Sequence, residues 1–246
     1  MRKFPPTVFK TAMVATAAFA LSACSLTIGD DEEDAKPTEG ETVTGENFDS
    51  IALAGPDDVV VVTGETPGWT VEGDAETVEK LRISVKDGVL KIRRTNNVLE
   101  WGTGDGKATV RVTMPALREF SLAGSGNGDV AEMIGDKGEI SIAGSGAVSV
   151  GKVELSRLEI DIAGSGSAAL AGTSEKLEIS IAGSGDVLGE ELSANQAEVS
   201  IAGSGDAKFA SDGEVEASVA GSGDIVVTGD AKCTSKSLGS GEIDCG

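Results

Sequence analysis

The residues of this 246-residue chain that could do chemistry are three cysteines and a set of regularly spaced aspartates. Cys24 follows Leu-Ser-Ala, which resembles the bacterial lipobox, where the cysteine thiol is lipidated and the chain is cut just before it. Cys233 and Cys245 lie near the carboxyl end, and Asp186, Asp206 and Asp224 recur at nearly constant spacing. These residue types suggest a lipid attachment site, a disulfide bond and a cation site.

The residues before Cys24 have the pattern of a secretory signal peptide. Residues 1–10 are basic without an acid, and residues 11–21 form a small, apolar run. A membrane-spanning helix needs roughly 20 apolar residues, so the run fits a signal peptide. We therefore predict a signal peptide over residues 1–23 and a membrane link through acyl chains on Cys24. An ordinary signal peptide with a chance cysteine is the alternative. Ser25 after the cysteine favours the outer over the inner membrane of a bacterial envelope.

The charge balance limits the partners of the chain. It has 41 acidic and 20 basic residues and a formal charge of −21, so it repels nucleic acid and anionic lipid, and we expect no nucleic-acid partner. Residues 24–46 are acidic and almost free of large apolar residues, which predicts a disordered tether. The acid cluster at residues 30–34 could instead bind a cation.

Missing residue types exclude most enzyme chemistry. The chain has no histidine and no tyrosine, which removes Ser-His-Asp catalysis, imidazole proton transfer and histidine-bound metals. Its Gly-Ser-Gly segments are followed by strands, whereas a phosphate-binding loop is followed by a helix. We expect no catalytic residues, no cofactor and no nucleotide.

An internal repeat dominates the second half of the chain. The segment Gly-Ser-Gly recurs at intervals of 18–20 residues, which indicates stacked repeats. Its first glycine stands at Gly124, Gly144, Gly164, Gly183, Gly203, Gly221 and Gly239. We expect these glycines to form sharp bends with positive φ. The serines after them could form local hydrogen bonds at the bend.

Apolar and polar residues alternate before each bend. The residues four positions before the first glycine are Phe120, Ile140, Ile160, Ile179, Val199 and Ala217. Alternation at period two with β-branched residues indicates half-buried strands. Each repeat is therefore predicted to be a strand, a bend, a second strand and a turn. The sequence predicts an all-β fold: a right-handed parallel β-solenoid, or β-helix, over residues 118–246, with about 18–20 residues per rung.

The first half of the folded region has longer strands. Ile51-Ala-Leu-Ala-Gly-Pro-Asp-Asp-Val matches Ile179-Ser-Ile-Ala-Gly-Ser-Gly-Asp-Val, so residues 47–117 are predicted to open the same solenoid. A separate small β domain is the alternative. Asp74 is predicted to cap a short helix, and Trp69 to be buried, with Trp101 in a loop.

Two candidate sites follow from the repeat alignment. Asp186, Asp206 and Asp224 lie three residues after the bend glycine, where stacked carboxylates could attract Ca²⁺. The alternative is that aspartate serves there as a turn residue. Cys233 and Cys245 occupy inward columns, so we predict a disulfide that closes the last rung. Two buried free thiols are the alternative.

The chain resembles the family described as putative auto-transporter adhesin, head GIN domain. The segment from Phe48 to Val61 and the Ala-Gly-Ser-Gly-Asp repeats carry this resemblance. It implies an exported, often lipid-anchored β-helix and supplies no catalytic residues. We expect a non-catalytic envelope module for adhesion, scaffolding or protein binding, with an unidentified protein or glycan partner. A carboxylate-based carbohydrate-active or carbohydrate-binding protein and a Ca²⁺-dependent assembly element are the alternatives.

Overall fold

The structure, a computed structural model, describes residues 36–38, 40, 42–95 and 106–246. The predicted signal peptide, Cys24, residues 30–34 and Trp101 lie outside these residues. The elements in chain order are β1 (Thr42–Thr44), β2 (Ser50–Gly55), β3 (Asp58–Thr63), β4 (Gly68–Glu72), α1 (Ala75–Lys80), β5 (Leu81–Lys86), β6 (Val89–Arg94), β7 (Thr109–Met114), β8 (Glu119–Gly124), β9 (Asn127–Gly144), β10 (Ala147–Gly164), β11 (Ser167–Gly183), β12 (Asp186–Gly203), β13 (Ala207–Gly221), β14 (Ile225–Thr228), β15 (Lys232–Gly239) and β16 (Ile243–Cys245). In the described part, no helix is both long and apolar enough to cross a bilayer.

The repeats stack in parallel and confirm the predicted β-solenoid, which has about six turns. Ile160 of β10 pairs with Ile140 of β9 and with Ile179 of β11. All three side chains are fully buried. The predicted interior column is therefore correct: the apolar side chains of each rung are covered by those of its neighbours, which a single rung could not achieve.

Each rung has three buried sides, where the alternation predicted two strands and a turn. In β10 the inward residues are Val148 and Val150, then Val153 and Leu155, and then a third side that begins at Leu158. Three positions, rather than two, separate the last inward residue of one side from the first of the next. Because the parity of the inward residues changes at each corner, the alternation did not reveal the middle side. The prediction of a turn in its place was therefore wrong.

The amino-terminal end continues the stack and is then covered. Gly55 of β2 pairs with Gly124 and has a φ of +139°, so the solenoid begins at β2. Strand β2 lies between β6 and β8, and β3 lies between β7 and β9. The outer strands β4 and β5 pair antiparallel with β7 and β6, and so end the parallel stack.

Local interactions hold this amino-terminal end together. The Asp74 carboxylate accepts a hydrogen bond from the Thr77 backbone N–H, as predicted for a helix cap. Trp69 is buried and packs against Phe48, with ring centroids 6.0 Å apart. Strand β1 pairs with β4, although the sequence places it in the tether, because Val43 lies opposite Trp69 and partly packs on the core. These contacts order Thr42–Thr44.

A buried ion pair at the same end joins the residue before β3 to the last residue of β6. Asp57 is fully buried, and its carboxylate accepts a hydrogen bond of 2.7 Å from the Arg94 Nε and one of 2.9 Å from the Ala108 backbone N–H. Arg94 also donates to the carbonyl of Gly106. A buried charge is tolerated when it is paired and hydrogen-bonded in this way. The pair therefore fixes the start of β3 against the end of β6.

Candidate functional site

The most regular feature of the surface is a column of glutamates on the strands that precede the bends. Each glutamate pairs in register with the one on the next strand, at the spacing of about 4.8 Å between strands. Its members are Glu119, Glu139, Glu159, Glu178, Glu198 and Glu216. We call the outward surface of this side of the solenoid the glutamate face. In spatial order its strands are β5, β6, β2, β8, β9, β10, β11, β12, β13 and β15.

Two columns of small residues lie beside the glutamates on this face. One contains serine in every strand from β8 to β13 except β10, which has Asp161. The other contains alanine in each of the same strands, and Ala143, Ala163, Ala202 and Ala220 are exposed. Because these side chains are short, the part of the glutamate face between the glutamate column and the bends is flat.

Basic residues offset the glutamates in the middle of the face. The Lys137 Nζ lies 2.8 Å from a Glu139 carboxylate oxygen and 3.4 Å from one of Glu159, and Arg157 donates to Glu178 at 2.6 Å. The hydrogen bond to Glu139 raises the pKa of Lys137 above its usual value. The basic column is interrupted after β11, where Gln196 and then Glu214 follow Lys176 in register, and it resumes at Lys232 of β15.

Asp161 is the one acid in the serine column. Its partial burial, together with the negative charges of Glu159 and Glu139, raises the pKa of Asp161 above the usual value, while a hydrogen bond with Ser180 lowers it. The ionised carboxylate is thus held where charge is unfavourable. This position costs the folded state some stability at neutral pH.

The bends hold one edge of the glutamate face in register. The first glycine of every repeat has a positive φ, for example +126° at Gly164, and an added Cβ there would clash with the carbonyl oxygen of Gly144. The Ser165 backbone N–H donates to that carbonyl at 2.8 Å. The same contact recurs at Ser184 and Ser204, so the glycines allow successive bends to lie directly on one another.

The candidate calcium ligands stack, and their carboxylates bind the backbone. Asp186 accepts from the Asp206 backbone N–H at 3.0 Å, Asp206 from the Asp224 N–H at 2.9 Å, and Asp224 from the Glu242 N–H at 2.8 Å. In the described part of the chain, no three acidic, cysteine or histidine side chains are grouped so that they could hold a metal ion. The arrangement is a ladder of side-chain to backbone hydrogen bonds that joins consecutive rungs.

The two carboxyl-terminal cysteines form the predicted disulfide. Cys233 and Cys245 are linked with their Cα atoms 6.4 Å apart, and each packs partly against the core. Cys233 pairs with Val215 and Cys245 with Val227, so both occupy inward columns. The inward Ser235 and Ser237 of β15 are exposed. The disulfide therefore closes a rung whose own apolar burial is small.

A groove of about 540 Å³ lies at the edge of the glutamate face near the carboxyl end. Its charged lining consists of Lys176, Glu198, Glu214, Glu216 and Lys232. Three glutamates and two lysines therefore line this groove.

The glutamate column was not predicted from the sequence, although its signal is visible in the repeat alignment. A glutamate stands five positions before the first glycine in each of the six repeats from Gly124 to Gly221. The period-two alternation predicts only that this position lies on the outside of the strand. Their functional interest comes from the register, which places six like side chains on one surface.

The fold and this surface define a parallel β-solenoid with a regular charged face and no histidine chemistry. Residues 47–231 match the family model described as putative auto-transporter adhesin, head GIN domain. The chain belongs to that family. Comparison with curated proteins gives no match.

Solved structures from three bacteria share the fold. A putative adhesin from Bacteroides fragilis has a TM-score of 0.73 and 21% identity, over 85% of this chain and 98% of its own. A putative lipid binding protein from Parabacteroides distasonis has a TM-score of 0.64 and 22% identity, over 86% and 100%. A putative adhesin from Parabacteroides merdae has a TM-score of 0.58 and 19% identity, over 85% and 99%. At these identities the likeness establishes the fold alone.

Proposed function

We propose that this chain is a non-catalytic, lipid-anchored module of the bacterial cell envelope that binds a partner through its glutamate face. The observation that carries the proposal is the in-register column of six glutamates beside flat columns of serine and alanine. A surface of this kind provides many equivalent contacts over a long distance, which suits adhesion or scaffolding. The adhesin descriptions of the family and of two structural neighbours support the same function.

The lipid anchor is the part of the proposal that depends on Cys24. The lipobox-like segment Leu21-Ser22-Ala23 before it supports acylation, with the solenoid held on the outer membrane by the lipid. The Cys24→Ser chain should move from the membrane fraction to the soluble fraction and keep the same melting temperature. Continued membrane association of this variant would contradict lipid anchoring.

Binding through the glutamate face is tested with matched charge reversals. The Cys24→Ser chain, immobilised, is incubated with envelope extracts, and its captured proteins and glycans are compared with those of two variants. Glu159→Arg with Glu178→Arg changes the centre of the face and should abolish capture. Glu154→Arg changes an exposed glutamate on the middle side of β10, away from the glutamate face, and should leave capture intact. Equal capture by all three chains would overturn the proposal.

A carbohydrate-active role is the second candidate, because Glu198, Glu214 and Glu216 all line the groove. Glycoside hydrolysis requires a pair of carboxylates on either side of the bond that is cleaved. If the groove is such a site, the purified chain should release reducing ends from envelope polysaccharides, and Glu198→Gln and Glu216→Gln should each abolish release. We expect no release from the unaltered chain.

A further inference from the structure

The charged side chains of the glutamate face differ in whether the chain itself neutralises them. In the middle rungs, the Lys137 Nζ lies 2.8 Å from a carboxylate oxygen of Glu139 and 3.4 Å from one of Glu159. Arg157 donates to Glu178 at 2.6 Å. The groove near the carboxyl end is lined by five other charged residues, Lys176, Glu198, Glu214, Glu216 and Lys232. None of these five charged groups forms an ion pair or a side-chain hydrogen bond with another residue of the described ranges.

Two columns of outward residues form the walls of this groove. One wall contains, in register from β11 to β15, the residues Lys176, Gln196, Glu214 and Lys232. The other wall contains Glu198, Glu216 and Thr234. Between the walls the side chains point inward, as at the buried Val215, so the floor is the sheet itself. Neighbouring strands are about 4.8 Å apart, so the groove follows the solenoid axis for about 14 Å from Lys176 to Lys232.

Three carboxylates surround the centre of the groove. Glu198 and Glu216 are neighbours on one wall, and Glu214 lies on the opposite wall, two residues before Glu216 on the same strand. Like charges on adjacent positions destabilise a sheet, and no ion pair within the described part of the chain offsets them here. An ammonium group has three N–H donors, one for each of the three carboxylates. A primary ammonium group is therefore the ligand chemistry that this centre fits.

Two lysines restrict what can lie beside that ammonium group. Lys176 and Lys232 stand at the two ends of one wall, each about 7 Å from the centre along the solenoid axis. They repel further cations and attract acids. In an extended chain, side chains two positions apart point the same way and lie about 6.7 Å apart. Acidic residues two positions before and after a bound lysine would therefore reach Lys176 and Lys232.

We propose that the groove binds an extended segment of a partner protein through a lysine that has an acidic residue two positions away on each side. This inference rests on the proposed function and names the chemistry of the partner at one part of the glutamate face. The lysine of the partner contacts Glu198, Glu214 and Glu216, and its two acids contact Lys176 and Lys232. The volume of the groove, about 540 Å³, is in the range of ligand sites in proteins.

The net charge of −21 does not prevent this contact. Repulsion between the chain and the two acids of the partner is screened beyond about 8 Å at physiological salt, whereas each partner charge meets an opposite charge at close range. Because the contact is electrostatic and exposed, binding should be weaker at about 1 M salt than at about 0.1 M salt, where the Debye length is about 10 Å instead of about 3 Å. Segments with several consecutive lysines should bind poorly, since their outer cations would meet Lys176 and Lys232.

The test is a titration of the Cys24→Ser chain with the synthetic peptide Ser-Asp-Ser-Lys-Ser-Asp-Ser, blocked at both ends. Backbone amide NMR signals of β12, β13 and β15 should shift, and those of β3 and β7 should not. A peptide with norleucine in place of lysine keeps the aliphatic stem but lacks the ammonium group, so it should bind at least about tenfold more weakly. Unchanged signals of β12, β13 and β15 at millimolar peptide would overturn the inference.

Matched variants locate the contact on the protein. Glu214→Gln with Glu216→Gln removes two of the three carboxylates and should weaken binding of the peptide at least about tenfold. Glu154→Gln with Glu191→Gln makes the same change of net charge at exposed residues of the middle side, and should change the affinity less than about twofold. Circular dichroism shows whether each variant is folded. Equal losses for the two variants would contradict binding in the groove.

The two lysines are tested with a second peptide, in which serine replaces both aspartates. The unaltered chain should bind the peptide with aspartates at least about threefold more tightly, and Lys176→Glu with Lys232→Glu should reverse this preference. Equal binding of both peptides by the unaltered chain would overturn the inference. If that happened while Glu159→Arg with Glu178→Arg still lost capture from envelope extracts, the proposed function would stand with a partner of different chemistry.

Discussion

The carboxylate of Asp186 accepts a hydrogen bond from the backbone N–H of Asp206, 3.0 Å away and one rung later. Asp206 and Asp224 continue the pattern by accepting from the backbone N–H groups of Asp224 and Glu242, so each of the three aspartates binds the chain of the next rung. Aspartate at this position thus has a structural use that needs no metal ion. This use accounts for the regular spacing on which the calcium hypothesis was based.

The first prediction separates the hydrogen-bond ladder from a calcium site. Replacing all three aspartates with asparagine keeps a side-chain carbonyl acceptor, so most stability should remain. Replacing them with alanine removes three hydrogen bonds and should cost about 2–3 kcal/mol, at about 1 kcal/mol each. Urea denaturation measures both variants. Millimolar Ca²⁺ should leave the melting temperature of the unaltered chain unchanged. A calcium-induced rise that the asparagine variant lacks would favour Ca²⁺-dependent assembly.

The second prediction concerns the interior column. Ile160 is fully buried between Ile140 and Ile179, so Ile160→Asp places an unpaired charge in the core and should cost several kcal/mol. Ser200→Asp is the matched control, because Ser200 lies in the outward column that already contains Asp161. It should change the unfolding free energy by no more than about 0.5 kcal/mol. Equal losses for the two variants would contradict the inward and outward assignment.

The third prediction is a pH dependence at Asp161. Burial and neighbouring glutamates raise its pKa in the folded state, so the folded chain binds this proton more tightly than the unfolded chain does. Stability from this group therefore increases as the pH falls through the folded-state pKa toward the ordinary value of 3.8. Asp161→Asn should be more stable than the unaltered chain at pH 7, by about 0.5 kcal/mol because the group is half-exposed.

The measurement is urea denaturation of both chains from pH 7 down to pH 3. The advantage of Asp161→Asn should shrink as the pH falls and vanish below the ordinary pKa of 3.8. Asp244→Asn removes an exposed carboxylate from the last rung and serves as the control for net charge. An advantage that stays constant with pH would show that charge at Asp161 is not its cause.

The sequence predicted the parts of the fold that repeat at constant parity. The Ile160 column and the Gly164 bend recur in every rung with the same neighbours, and alternation at period two identifies their environment directly. The middle side of the rung could not be predicted, because Val153 lies three positions after Val150, and two sides of opposite parity look like an irregular turn. Burial at such a corner depends on the path of the backbone, which no local pattern encodes.

The amino-terminal end shows a second limit. The match of Ile51 to Gly55 with a later repeat predicted the first rung correctly, since the same alternation and the same bend recur there. The antiparallel strands β4 and β5 carry the same β-prone composition as parallel ones, so their direction follows only from their partners. The glutamate face was also not predicted, because Glu119 and Glu216 share a column only through a series of strand pairings.

The last prediction concerns the disulfide between Cys233 and Cys245. Replacing both with serine should destabilise the last rung by roughly 3 kcal/mol, the value that the loop-entropy model gives for a loop of about this length. The middle rungs should be unaffected, because each rung of a solenoid depends mainly on its nearest neighbours. Amide hydrogen exchange tests this by comparing β15 with β10 in the two chains.

The expected difference is local, and its physical reason lies in what covers β15. Its inward Ser235 and Ser237 are exposed, and among the described strands β15 pairs only with β13, so little besides the disulfide holds its outer edge. Without the bond, amides in β15 should exchange much faster while those of β10 keep their protection. Replacing both cysteines with alanine should have the same effect, which excludes a specific role of the serine hydroxyls. Unchanged exchange in β15 would show that backbone pairing with β13 alone closes the solenoid.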